Sequence, residues 1–155
     1  MEGQRPGTQI GADQIRERLA FIQPYVSWIR TFSCSEGNEL IPAIARENGL
    51  KTLVGVWLDD NKEQNEIELA NAIGIANAGH ADILGVGNEV LLRGDLPEDQ
   101  IIAFMNRVKE AAPGIPVGYV DAYYEFGEHP GIAAACDVIL ANCYPFWEGF
   151  PLEHS

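Results

Sequence analysis

Asp82-Ile83-Leu84-Gly85-Val86-Gly87-Asn88-Glu89-Val90 begins as a short apolar run and turns polar at its end. A run of that length, rich in branched side chains, reads as a strand buried on both faces. Gly85 and Gly87 leave room for close approach of backbone or ligand, and Asn88-Glu89 sets an amide and a carboxyl group at the strand's end. Four other runs have the same character: Trp28-Ile29-Arg30-Thr31-Phe32, Thr52-Leu53-Val54-Gly55-Val56-Trp57-Leu58, Pro116-Val117-Gly118-Tyr119-Val120 and Asp137-Val138-Ile139-Leu140-Ala141.

The intervening segments keep helical spacing: Ile15, Leu19 and Ile22; Leu40, Ile41 and Ile44; Ile101, Met105 and Val108. The segment from Asn61 to Ala78 is the longest helix candidate, with Ile67, Ala70, Ile73 and Ala76 among its apolar positions. Gly49 and Gly79 stand where helices should stop, and Asp95-Leu96-Pro97-Glu98 resembles a capping box. Strand and helix in alternation require right-handed crossovers and a parallel sheet. Two architectures satisfy that pattern, an open doubly wound sheet and part of a (β/α)8 barrel, whose usual length of about 250 residues exceeds this chain. No G-x-G-x-x-G or P-loop segment follows any of the runs, so the signature of a nucleotide-binding open sheet is missing.

With 155 residues, 46% of them apolar, the chain can bury one substantial core. A formal net charge of −13 without a cluster of Lys or Arg argues against a nucleic-acid partner, while an uncharged ligand such as a sugar is compatible. The acidic stretch from Lys62 to Glu68 reads as a solvated helix face. No apolar run reaches the length of a membrane span, and the first residues lack the apolar stretch of a signal peptide, so no cellular address can be assigned. Cys34, Cys136 and Cys143 have neither metal-ligand nor redox spacing and are expected as small buried residues. No cofactor and no metal are expected: Asp59, Asp60 and Asp121 do not form a calcium loop, and His80, His129 and His154 have no nucleophile at useful spacing.

In either architecture ligands gather at the carboxyl ends of the strands. Those positions hold Arg30 and Ser33-Cys34-Ser35, Trp57 with Asp59-Asp60, Asn88-Glu89, then Asp121, Tyr123 and Tyr124, and finally Asn142, Tyr144 and Trp147. Glu89 is the candidate catalytic residue; Arg30, Trp57, Asn88, Asp121, Tyr123, Asn142, Tyr144 and Trp147 are candidate substrate contacts. The blander alternatives are a Glu89 carboxylate paired with Arg30 or Arg93, and aromatic rings that only fill a core. Glu125, Glu128, Glu148 and Glu153 lie in expected loops and read as surface.

Several of these segments resemble glycoside hydrolase family 17, whose members include β-1,3-glucanases and glucanosyltransferases. They are Glu2-Gly3-Gln4-Arg5-Pro6-Gly7, Trp28-Ile29-Arg30-Thr31-Phe32-Ser33-Cys34, Leu53-Val54-Gly55-Val56-Trp57-Leu58, Val86-Gly87-Asn88-Glu89-Val90 and Ala141-Asn142-Cys143-Tyr144-Pro145-Phe146-Trp147. They run through the whole chain in the family's order and look most like its bacterial branch. The resemblance implies a (β/α)8 barrel fragment of about five parallel strands, family strands two to six. Residues 1–155 are then a single partial catalytic domain lacking the first and last strands.

The resemblance further implies cleavage of β-glucan with retention, Glu89 matching the acid/base position. The nucleophile belongs in a segment like Glu-Thr-Gly-Trp-Pro, which does not occur in this sequence. A retaining site needs its two carboxyl groups about 5 to 5.5 Å apart, so the isolated chain is expected to be inactive. A non-catalytic glucan-binding or assembly module on the same fold is the alternative. Open sheet edges are expected to favour self-association.

Overall fold

A computed structural model describes residues 5 and 7–149. The expected positions Glu153 and His154, and most of the Glu2-Gly3-Gln4-Arg5-Pro6-Gly7 segment, lie outside the described residues. Five strands form one sheet: β1 (Trp28–Arg30), β2 (Lys51–Val56), β3 (Ile83–Asn88), β4 (Val117–Ala122) and β5 (Val138–Asn142). Every neighbouring pair is parallel. The spatial order β1-β2-β3-β4-β5 is the sequence order. A doubly wound sheet reverses its strand order at a switch point and this one does not, so the fold is a curled part of a (β/α) barrel.

The connections are α1 (Ala12–Ile22), α2 (Ile41–Glu47), α3 (Lys62–Asn77), α4 (Val90–Arg93), α5 (Glu98–Ala111), α6 (Glu125–Glu128) and α7 (Pro130–Ala135). Alternate strand residues divide between two faces. Val54, Val56, Leu84, Val86, Val117 and Tyr119 meet Leu69 and Ala72 of α3 and Ile101, Met105 and Val108 of α5 in the main core. Each fully buried aliphatic side chain there contributes about 1.5–3 kcal/mol. On the inner face, Leu53, Val120 and Leu140 close around Gly85, where an added Cβ would lie 3.2 Å from the Leu53 and Val120 side chains. A smaller cluster of Ile15, Leu19, Ile44, Ala45 and Leu50 seats α1 on α2.

Several expectations are corrected. The helix α3 buries Asn65, Glu68, Leu69, Ala72, Ile75 and Ala76. Ile67 faces out at 45% exposure. Two polar side chains took inward positions that the apolar pattern assigned to neighbours. Ile22 is exposed at the end of α1, and Leu40 is exposed in a short turn before α2. The helix α5 starts without a capping box: Pro97 occupies the N-cap and no side chain caps it. Asp95 instead binds Arg93 at 2.6 Å, and Glu98 accepts the Ile132 N–H at 3.1 Å. Only Cys34 of the three cysteines is fully buried; Cys136 is partly buried and Cys143 exposed. Gly49 and Gly79 do close their helices in the left-handed conformation, at φ 71° and 77°.

The sheet ends in two uncovered edges among the described residues. At β1, Trp28, Phe32 and Tyr25 are exposed; at β5, Ile139 is 51% exposed, and Phe146 and Trp147 each 82%. No helix among the described residues is long and apolar enough to cross a membrane.

Candidate active site

Glu89 follows the last residue of β3 and precedes the single turn of α4. Its backbone stands at φ 55° and ψ 34°, in the left-handed region. That conformation is uncommon and costly for a residue with a Cβ, and it recurs at functional positions. It turns the carboxyl group across the mouth of the sheet, where Asn142 Nδ2 at the end of β5 donates to Glu89 Oε1 at 2.7 Å. The Glu89 N–H donates to the Val120 carbonyl at 2.7 Å. Gly87, two residues earlier, has φ 91°, and a Cβ there would lie 2.9 Å from the Tyr119 ring. Glycine is therefore required both by torsion and by space.

Arg30, at the end of β1, donates to Asn88 Oδ1 at 2.6 Å. The two expected contacts are thus joined across β2. Desolvation lowers the Arg30 pKa, while the electrostatic influence of Tyr144 and then Glu89 acts in the opposite sense. Among the described residues, no ion pair within 4 Å includes Glu89. The paired-carboxylate alternative with Arg30 or Arg93 is not what the geometry contains.

Arg93 has a different task. Its guanidinium stacks 4.5 Å from the Trp57 ring centroid, binds the Asn88 carbonyl, donates to the Leu58 carbonyl at 2.8 Å and pairs with Asp95. It ties the ends of β2 and β3 together and covers one face of Trp57. The indole N–H of Trp57 donates to Asp59 Oδ2 at 3.2 Å.

The acidic stretch of α3 hides a carboxylate that the sequence reading treated as solvated. Glu68 is 1% exposed. Its Oε1 accepts from Ser33 Oγ at 2.6 Å and Ser35 Oγ at 2.5 Å, and its Oε2 from the N–H groups of Cys34 at 2.6 Å and Trp57 at 3.1 Å. Four donors satisfy the buried carboxyl group. The hydroxyls of Ser33-Cys34-Ser35, at first sight candidate ligands, are committed to this cage, which pins the chain leaving β1 to that leaving β2.

Asp121 also lies elsewhere than a substrate contact would. It is fully buried on the outer face of β4. There it receives the Tyr119 hydroxyl, and Oδ1 accepts the Ala122 N–H at 2.8 Å. Glu125, expected at the surface, is buried at the start of α6. Desolvation, then the nearby Asp121 charge, raises its pKa. Its neighbour His129 lies 3.5 Å away and also contacts Glu98 at 3.2 Å.

The aromatic residues form an exposed rim. Tyr123 and Tyr124 meet edge to face with centroids 5.3 Å apart, as do Phe146 and Trp147 at 5.5 Å. Glu148 acts first among the influences that raise the Tyr123 phenol, which places those two groups together across the ends of β4 and β5. Among the described residues no group of three His, Cys, Asp or Glu side chains is arranged to hold a metal ion.

A carboxyl group at a barrel strand end, oriented by an amide and rimmed by rings, lies at the face where barrel enzymes carry their chemistry. The family model of the BtgE/BtgC glycoside hydrolase domain matches residues 3–154, and the chain belongs to that family. A curated relative, a glucan 1,3-beta-glucosidase of Schizosaccharomyces pombe, is 29% identical over 92% of this chain and 49% of its own length. Another of that name, from Arthroderma benhamiae, is 25% identical over 82% of the chain and 43% of its own length. The crystal structure of a glycoside hydrolase family 17 β-1,3-glucanosyltransferase from Rhizomucor miehei superposes with a TM-score of 0.78 at 30% identity, covering 91% of this chain and 55% of that one. An active-site mutant of the same enzyme in complex with laminaritriose gives 0.77 at 30% identity, over 88% and 53%. The chain thus spans about half the length of each of these relatives. These relatives are fungal and do not place it in the bacterial branch.

Proposed function

We propose that this chain carries the acid/base half of a β-1,3-glucan-acting site, with Glu89 giving a proton to the glycosidic oxygen and taking one back from the incoming water or sugar hydroxyl. The observation that carries the reading is the convergence of Arg30, Asn88, Glu89 and Asn142 at the carboxyl ends of β1, β3 and β5, with the Glu89 carboxylate held at 2.7 Å by Asn142. Among the described residues Asn142 bonds one carboxyl oxygen of Glu89 and no partner is recorded for the other, which is the one this reading assigns to proton exchange. Trp147 and Tyr144, with Tyr123, offer rings against which the apolar faces of glucose units pack. The activities named for the relatives, and a laminaritriose-bound neighbour, support β-1,3-glucan as the polymer.

A double displacement needs a second carboxylate, and no Glu-Thr-Gly-Trp segment is present in the 155 residues. Residues 1–155 therefore act as one partial catalytic domain whose nucleophile comes from additional strands. The chain alone binds glucan without turning it over, and its exposed β1 and β5 edges drive self-association.

Calorimetric titration with laminari-oligosaccharides, together with chromatography of the products, tests this. Binding that weakens at least tenfold in Trp147→Ala and yields no product with the chain alone, but Glu89-dependent product with a longer natural polypeptide, supports the reading; binding that survives Glu89→Gln with no turnover even in that longer polypeptide favours the non-catalytic glucan-binding module. Glu89-dependent cleavage by the pure chain would show that a nucleophile among these residues has been missed.

A further inference from the structure

The carboxyl group of Glu89 points where it does because the backbone beneath it is held in a conformation it would otherwise leave. At φ 55° the residue bears the strain of the left-handed region. The α4 turn that follows has only four residues, too few to sustain itself by its own hydrogen bonds. Something outside the segment must hold it.

Three consecutive residues of β4 do so. The Tyr119 ring lies directly under Gly87, where a Cβ would come within 2.9 Å of it. The Tyr119 hydroxyl oxygen sits 2.9 Å from the Leu91 N–H. One side chain therefore touches the chain on both sides of Glu89. Val120 takes the Glu89 N–H through its carbonyl at 2.7 Å. Asp121 Oδ2 accepts the Leu91 N–H at 3.2 Å and the Leu92 N–H at 3.5 Å, and the Tyr119 hydroxyl binds the same oxygen. Both side chains are fully buried. Burial, then the Asp121 hydrogen bond, pushes the Tyr119 phenol far up, so it remains a donor at all working pH values.

We propose that Tyr119 and Asp121 are a positioning pair for Glu89: through the N–H groups of α4 they lock the left-handed turn and so aim the carboxylate at Asn142. The pair touches no substrate and acts only through the backbone. Its importance for catalysis rests on the proposed role of Glu89, but the positioning itself does not.

The test is nuclear magnetic resonance of the 15N-labelled chain without ligand, reading the Asn142 side-chain amide signals and the hydrogen-exchange protection of the Leu91 amide. Tyr119→Phe removes one oxygen, and Asp121→Asn keeps the shape and replaces one acceptor oxygen by an amide donor. In both, Leu91 protection falls at least tenfold and the Asn142 signals move toward their positions in Glu89→Gln, while the remaining spectrum keeps its dispersion. Ile132→Val, buried at 0% exposure in α7, is the control for general loosening. Wild-type Asn142 and Leu91 behaviour in Tyr119→Phe would overturn the proposal, as would equal changes in Ile132→Val at matched loss of melting temperature. Should Asp121→Asn fail to fold, Tyr119→Phe decides alone. Neither readout uses glucan, so an absence of glucan binding overturns the proposed function and leaves the positioning pair intact.

Discussion

Asn142 Nδ2 donates to Glu89 Oε1 at 2.7 Å, joining the ends of β3 and β5 over the intervening β4. Replacing Asn142 by Ala removes the side chain that orients the carboxylate and leaves the fold, since Asn142 is only partly buried at a strand end. Stability should change by no more than about 1 kcal/mol, the worth of one such hydrogen bond. In a natural polypeptide containing the remaining strands, kcat on laminari-oligosaccharides should fall about 10²-fold with little change in KM, because the lost interaction orients the carboxyl group proposed as proton donor. Steady-state kinetics beside a denaturant titration checks both.

Glu68 should be among the costliest positions in the chain. Glu68→Ala strands the Cys34 N–H in a buried setting and the Ser33 and Ser35 hydroxyls and the Trp57 N–H in part-buried ones. The expected loss is about 3–5 kcal/mol, read as a shift of the urea midpoint at unchanged slope.

Gly87 and Gly49 separate torsion from space. Both have positive φ, but a Cβ at Gly49 meets nothing within 4 Å while one at Gly87 meets the Tyr119 ring at 2.9 Å. Gly49→Ala should cost about 1 kcal/mol of backbone strain. Gly87→Ala should cost about 2 kcal/mol more and reduce the ordered Glu89 turn, measured by thermal unfolding and by the Leu91 amide.

Two carboxyl groups give stability opposite pH slopes. The Lys109 hydrogen bond, then that from the Val117 N–H, lowers the Asp137 pKa. Its contribution is present above the ordinary carboxylate pKa and is lost as pH falls through the lowered folded value. Asp137→Asn should therefore weaken the protein at neutral pH, by about 1 kcal/mol at most for so exposed a pair, and leave it unchanged in acid. Glu125 is raised by desolvation, so its favourable contribution is present below the ordinary carboxylate pKa and is lost as pH rises through the raised value. Glu125→Gln should be relatively more stable than the parent above that window and equal to it in acid, with loss of the His129 contact offsetting part of the gain. Denaturant midpoints measured across pH decide both.

The five strands were legible because each is a continuous apolar run closed by polar residues, and Glu89 because it follows such a run directly. The choice between open sheet and barrel was not, since it lies in the order of strands in space, which periodicity does not carry. Glu68 stayed hidden for a related reason: its partners Ser33 and Ser35 are 35 and 33 residues away, and an acidic residue among acidic neighbours has the signature of a solvated helix face. Asp121 misled in the other direction. It stands beside the strand-end residues in sequence, yet strand alternation turns it to the outer face, where it serves the backbone of α4. Trp57 is half explained: Arg93 on one ring face is a contact between side chains 36 residues apart in sequence.

Glu89 rises from the middle strand of five, and every hydrogen bond that holds its turn comes from that strand, from β4 or from α4. None of these partners lies on the edge strands β1 and β5. Sequence change at either edge of the sheet can thus reshape the surroundings of Glu89 without touching the contacts that set its turn.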